Sequence, residues 1–191
     1  RLNVDFVYLP EIKDVYRPAS KIKIKLKKQD KILCAKYRKG HFEGVINVMT
    51  RLTKIINPSK IFMGEKDFQQ LYLVKKLLEK KYKTKVIPCK TIRDSNKVAL
   101  SSRNFLLNKT NLMIAAKIYK KLVDIKKKTK NKNNILKFLN LQKKELKNNY
   151  KIKIDYLELR NIKNLKISST TKNSRLFIAY HINKVRLIDN L

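Results

Sequence analysis

Cysteine and histidine are nearly absent from this chain. Its two cysteines, Cys34 and Cys89, lie far apart with no CxxC spacing. That excludes a disulfide framework, and a zinc site would need clustered partners. With only His41 and His181 in the sequence, no metal centre is expected. Nowhere does an uncharged apolar run reach the roughly 18 residues that a membrane helix needs. The first ten residues lack the basic-then-apolar layout of a signal peptide. Two reduced cysteines and neither kind of membrane segment point to a cytoplasmic protein with no membrane partner. Two catalytic arrangements are missing as well, the Ser-His-Asp triad and the paired carboxylates of a hydrolase, and there is no Walker A loop.

Acidic residues are scarce: 14 Asp and Glu face 48 Lys and Arg, a formal charge of +34 with pI near 10.3. A basic surface neutralises phosphates, so a basic RNA-binding protein is one reading. Only nine of the basic residues are Arg, however, leaving 39 Lys, whereas base-edge readout favours Arg. The lysines run the whole length beside many Ile and Asn residues, as AT-rich coding would produce. No specific nucleic-acid partner is expected, although nonspecific attraction to polyanions would follow.

What is present is a globular pattern. Hydrophobic residues make up 43% of 191 residues, enough for one domain or two small ones. The chain opens on Arg1 rather than Met, and residues 1–10 read as a strand entering a turn, which suggests a fragment. Residues 21–26, Lys-Ile-Lys-Ile-Lys-Leu, alternate strictly and predict a half-buried strand. Between His41 and Asn57, the apolar positions Val45, Val48, Met49, Leu52, Ile55 and Ile56 predict an amphipathic helix ending before Pro58. Lys60-Ile61-Phe62-Met63 reads as a strand broken by Gly64. A helix capped by Asp67 follows, with Leu71, Leu73, Val74, Leu77 and Leu78 as its stripe. Lys85-Val86-Ile87-Pro88 is a second strand, parallel to the first in a βαβ unit.

The character changes after residue 92. Residues 93–108 are polar and irregular, and a helix is predicted over 111–127 on Leu112, Ala115, Ala116, Tyr119, Leu122 and Val123. Residues 126–134 read as a solvated connection, and a second helix covers 135–146. Strand-like runs at 152–159, 175–180 and 185–188 close the chain. The expected architecture is α/β: residues 1–92 form an incomplete Rossmann-like parallel-sheet domain whose first strands are missing. Residues 93–191 form a small α+β domain of helices and an antiparallel sheet.

Three segments have residue types suited to chemistry. Gly64-Glu65-Lys66-Asp67-Phe68-Gln69-Gln70 spans a strand's carboxyl end and a helix start, where open α/β sheets bind ligands. Glycine permits close approach, the helix start attracts anions, and Lys66 adds a mobile charge. An ordinary capped turn would have the same sequence. Ala99-Leu100-Ser101-Ser102-Arg103-Asn104 sets two hydroxyls beside an Arg, groups that can clamp a polyphosphate. It could equally be a Ser-rich turn capping a helix. Tyr37-Arg38-Lys39-Gly40-His41-Phe42-Glu43-Gly44-Val45 leads into the first helix, where His41 alone more often serves structure.

Together these segments resemble the pantothenate synthetase family of the nucleotidyltransferase superfamily. The matching runs are GHFEGV, PSKIFMGEKDFQQL and VALSSRN, then Asp155-Tyr156-Leu157-Glu158-Leu159-Arg160 and Arg186-Leu187-Ile188-Asp189-Asn190, in order from Val4 to Asn190. The resemblance implies an ATP-dependent, AMP-forming ligase. Mg2+-ATP activates pantoate as an acyl-adenylate, and β-alanine then displaces AMP to give the coenzyme A precursor pantothenate.

By the same resemblance, Gly64, Glu65, Lys66 and Asp67 hold the nucleotide, with Lys66 near the phosphates. Ile92 contacts the adenine side, and Leu100, Ser101, Ser102 and Arg103 form a KMSKS-like triphosphate loop on the second domain. Lys66, Ser101, Ser102 and Arg103 are the expected catalytic groups. Gln70, His41, Val45 and Val48 line the pantoate pocket. Family members are homodimers when full length. They also carry a Met-Gly-x-Leu-His-x-Gly-His turn that these 191 residues do not contain, so the chain alone is expected to be inactive. Lys39 stands where Pro is usual, and Asn96-Lys97 where Asp-Gly is common. A cytidylyl- or adenylyltransferase of the same superfamily is the rival enzyme.

Overall fold

A computed structural model describes residues 3–16 and 23–191. The chain divides into two compact units. The first comprises Arg1–Met63 and Gln69–Pro88, the second Gly64–Phe68 and Cys89–Leu191. The second unit therefore takes in a five-residue piece from within the first half of the sequence.

In the first unit, β1 (Lys60–Gly64) and β2 (Lys85–Cys89) form a two-stranded parallel sheet joined through α4 (Phe68–Lys81). This is the expected βαβ unit. Leu71, Leu73, Val74 and Leu78 of α4 are buried, so the stripe read from the sequence faces the core. The loop into β2 is fastened by Thr84, whose hydroxyl donates to the Pro58 carbonyl at 2.7 Å. The backbone N–H of Val86 donates to Glu79 at 2.9 Å.

Helix α3 (His41–Ile56) lies where periodicity predicts it, but its buried face differs. Phe42, Ile46, Thr50, Arg51 and Thr53 are buried, while Ile55 and Ile56 are exposed and Val45 and Val48 half-buried. The displacement follows Arg51. Its guanidinium donates to Asn47 at 2.7 Å and to the Val15 carbonyl of α1 (Ile12–Val15) at 3.2 Å, and lies 4.8 Å from the Tyr16 ring. A charge satisfied on three sides can be buried where hydrophobicity alone would expose it. Two expected strands are absent. Residues 3–10 and 23–27 pair with no neighbour among the described residues; positions 1, 2, 21 and 22 of those runs lie outside them. Alternation supplies a strand's two faces, but a ladder also needs a partner edge.

The second unit packs α5 (Lys109–Thr129) and α6 (Ile135–Tyr150) against an antiparallel sheet. Its strands are β3 (Lys153–Asn161), β4 (Ser174–Ile182) and β5 (Val185–Asn190), in that order. Ala115, Ile118, Leu122 and Ile125 form the core face of α5. Residues 128 and 129, expected only in the connection, instead continue this helix. Thr129 extends the stripe, buried with its hydroxyl donating to the Ile125 carbonyl at 2.7 Å. Asn108 and Asn134 cap α5 and α6 by accepting from N–H groups in their first turns.

The β3–β4 register shifts between Ile154, opposite Tyr180, and Tyr156, opposite Ala179, which makes Asp155 the extra residue of a bulge. A bulge re-aims the side chain at that point. The Asp155 carboxylate turns inward, accepting from Arg186 at 2.8 Å and bonding the His181 ring at 3.2 Å.

Candidate nucleotide site

Within the second unit, Glu65–Asp67 forms one 3-10 turn and Ser102–Leu106 another. Both are attached to β5. The Asn190 side-chain amide donates to the Glu65 carbonyl at 2.9 Å and to the Lys66 carbonyl at 3.0 Å. Its oxygen accepts from Arg175 at 2.7 Å, and a second Arg175 nitrogen donates to the Glu65 carboxylate at 2.9 Å. Arg175 also stacks 4.8 Å from the ring of Phe68, which meets Phe177 edge-on at 5.6 Å. Asn190 is 5% exposed, so its polar atoms depend on these partners.

The other turn is fixed through Arg103, whose guanidinium donates to the Arg186 carbonyl at 2.9 Å. Ser101 caps the turn by accepting from the Arg103 N–H at 3.3 Å, the capping role its sequence allowed. Asn104 donates to the Ala99 carbonyl at 3.1 Å, and Ser102 is exposed. Residues 186 and 190 are four apart on one strand, a separation of about 13 Å.

Ahead of this loop, Asp94 through Val98 forms a tight turn. The Asp94 N–H donates to the Val98 carbonyl at 2.9 Å, and the Asp94 carboxylate accepts from the Val98 N–H at 2.8 Å. The Leu100 N–H donates to the Ile92 carbonyl at 3.0 Å, so these two exposed candidates lie side by side. Lys97 adopts φ 68°, left-handed backbone that disfavours an L side chain. Replacing Lys97 with Gly should therefore stabilise the second unit by about 1 kcal/mol, measured by denaturant unfolding. No gain, or a loss, would show that Lys97 carries no such strain.

Arg93 ties this turn to β5 by two hydrogen bonds to Asp189, at 2.7 and 2.8 Å, and lies 4.2 Å from the Tyr119 ring. Burial opposes its charge, but the hydrogen bond and charge of Asp189 more than offset that, so its pKa lies above the ordinary arginine value. Burial, reinforced by Asp189, also raises the pKa of Tyr180 and keeps its hydroxyl neutral. Lys126 shifts the other way: burial, then the positive charges of Arg175 and Lys130, lower its pKa.

Lys66 has a side chain 21% exposed, with its ammonium 3.9 Å from the Asp67 carboxylate. The Glu65 carboxylate is engaged by Arg175, so what Glu65 offers a ligand is mainly backbone. In the first unit, His41, Val45 and Val48 sit at i, i+4 and i+7 of α3, which places them on one helical face. Gly40 precedes them at φ 76°, a conformation glycine adopts readily, and starts the helix. Gln70 is half-buried on α4; its neighbour Gln69 is buried, donating to the Asp30 and Ile32 carbonyls at 3.2 and 2.8 Å.

Sequence reasoning missed Arg93, Arg175, Asp189 and Asn190 as site-building residues. The available signal was the closing Arg186–Asn190 run, which matched the family without suggesting what it binds. Among the described residues no cluster of three or more His, Cys, Asp or Glu could hold a metal, and no helix is long and apolar enough to cross a membrane.

A strand–helix–strand unit with a parallel sheet, and an α+β unit that anchors two turns on one antiparallel sheet, define a protein of the α/β class. The chain belongs to the pantoate–β-alanine ligase family, whose profile matches residues 1–191. A pantothenate synthetase of Flavobacterium psychrophilum is 36% identical over 197 residues, covering 97% of this chain and 67% of that protein. One from Francisella tularensis subsp. mediasiatica is 38% identical over 191 residues, covering 99% of this chain and 65% of its own length. The chain thus spans about two thirds of these relatives.

Among solved structures, pantothenate synthetase from Thermus thermophilus superimposes with TM-score 0.88 at 26% identity, over 99% of this chain and 70% of that one. The Francisella tularensis ligase complexed with β,γ ATP and β-alanine gives TM-score 0.72 at 34% identity, over 94% and 61%.

Proposed function

We propose that this chain supplies the triphosphate-binding and pantoate-binding elements of an ATP-dependent pantoate–β-alanine ligase acting through a pantoyl-adenylate. The pantoate carboxylate attacks the α-phosphorus of ATP and pyrophosphate departs. The β-alanine amine then attacks the activated carbonyl, loses a proton and releases AMP. Such transfers need charge stabilisation and alignment rather than a protein nucleophile. Lys66 neutralises developing charge on the phosphates, while Ser101, Ser102 and Arg103 hold the departing pyrophosphate. Gly64 and the backbone of Glu65 and Asp67 seat the nucleotide, with Ile92 on its adenine side and Leu100 opening the triphosphate loop. His41, Val45, Val48 and Gln70 receive pantoate.

Magnesium fits this scheme as a partner of the triphosphate, whose oxygens supply ligands with one or two carboxylates. Asp67, half-exposed beside Lys66, is the residue that would share in holding it, and the ion would add charge neutralisation.

The observation supporting this reading is the common attachment of the Lys66 turn and the Arg103 turn to β5, through Asn190 and Arg103. The test has two parts. The 191-residue chain should bind Mg-ATP in calorimetry. When fused to the part of the Francisella tularensis relative that lies outside the match, it should catalyse ATP–pyrophosphate exchange that depends on pantoate. Exchange supported by a different acid, or by none, would defeat the pantoate assignment. Failure to bind ATP would defeat the whole reading.

A further inference from the structure

We propose that Asn190 and Arg175 are positioning residues for Lys66, so that β4 and β5 set the affinity for ATP without touching it. This rests on the reading of Lys66 as a phosphate ligand. Asn190 uses each of its side-chain groups. Two N–H bonds hold consecutive carbonyls of the 64–67 turn, and its oxygen is held by Arg175. Arg175 grips the same turn from the side through Glu65 and covers Phe68 at its end.

Residues 65 and 66 are thus held at two carbonyls and one carboxylate. Fixing consecutive carbonyls fixes the peptide planes between them, and with them the direction in which Cα of Lys66 projects its side chain. A long lysine side chain has many rotamers, and a ligand that must order both backbone and side chain binds more weakly than one that finds the backbone set. Strand β5 is well suited to this task. Phe177 pairs with Asn190, and backbone bonds between Leu176 and Leu191 at 3.0 Å in both directions hold the strand end in register. Arg93 fixes the adjacent Asp189.

Asn190→Asp is nearly isosteric and removes the donor, and Asn190→Ala, which removes it without adding a charge, controls for the new carboxylate. Asn190→Asp keeps an acceptor for Arg175 while turning an oxygen toward two carbonyls. Mg-ATP binding to the 191-residue chain, read by calorimetry, should weaken about tenfold, as expected for two lost hydrogen bonds. Amide exchange should accelerate at residues 65–67 and stay unchanged in α5 and α6. The same substitution on a Lys66→Met background should have little further effect on affinity, because the strand acts through that lysine.

Arg175→Lys provides a second route. It keeps a cation for Glu65 but gives up the hold on Asn190, and it should show the same dependence on Lys66. Wild-type affinity in all three variants would overturn the proposal. So would an equal loss in the Lys66→Met background, since that marks a general structural role. Absence of ATP binding by the wild-type chain would remove the underlying reading as well, which separates the two failures.

Discussion

Replacing Lys66 with Met should weaken Mg-ATP binding by at least about tenfold and slow pantoate-dependent exchange in the fused enzyme by about 100- to 1,000-fold. The larger loss in rate follows from where the charge is needed. In the ground state magnesium would already neutralise part of the triphosphate charge, so one ammonium contributes less there than in the transition state. In transfer, negative charge redistributes onto the bridging oxygen and departing pyrophosphate, and a cation held at that position acts most strongly there. Methionine keeps the length and apolar stem of the side chain, so unfolding by denaturant should be unchanged. Equal turnover in the two proteins would remove Lys66 from the phosphate-binding role, and with it the proposed position of the 64–67 turn.

Leu122→Ala should destabilise the second unit by about 2–5 kcal/mol and lower its melting temperature by on the order of 10 °C. Leu122 is 1% exposed in the middle of the α5 face that covers the sheet. Removing three carbons there leaves a cavity within a core that also holds Leu176 and Ile178. The chain has no tryptophan, so near-ultraviolet circular dichroism of the buried Tyr156 and Tyr180 is the suitable signal. A loss below about 1 kcal/mol would mean the site collapses around the deletion, and that the α5–sheet packing is looser than its burial suggests.

How far the sequence conveyed this architecture depended on the range of the interactions. Helices α3, α4, α5 and α6 could be read because a repeating apolar pattern is a local property, and the βαβ unit followed from the spacing of its parts. The actual buried face of α3 could not, because Arg51 is buried against Asn47, a carbonyl of α1 and the Tyr16 ring, which accept its hydrogen bonds and face its charge. The alternating residues 23–26 suggested a strand, yet no pattern in one segment can specify the edge it would pair with.

The candidate site shows the same division. Lys66, Ser101 and Arg103 were candidates from residue type and from family resemblance, whereas the residues that hold their turns were not foreseen. Arg175 meets Glu65 across 110 positions and Asn190 meets it across 125. Contacts of that range leave no periodic trace in a single chain.

The assignment of Gly64–Phe68 to the second unit has a consequence for dissection. The backbone passes from one compact unit to the other after Met63, returns after Phe68 and leaves again after Pro88. No single scission can therefore separate two autonomous folding bodies. A piece beginning at Cys89 would leave the guanidinium of Arg175 and the amide of Asn190 without the peptide they clasp, and the piece before it would carry that peptide with nothing to hold it. The segment that identifies the family is thus also a tenon, whose mortise is cut in the far end of the sequence.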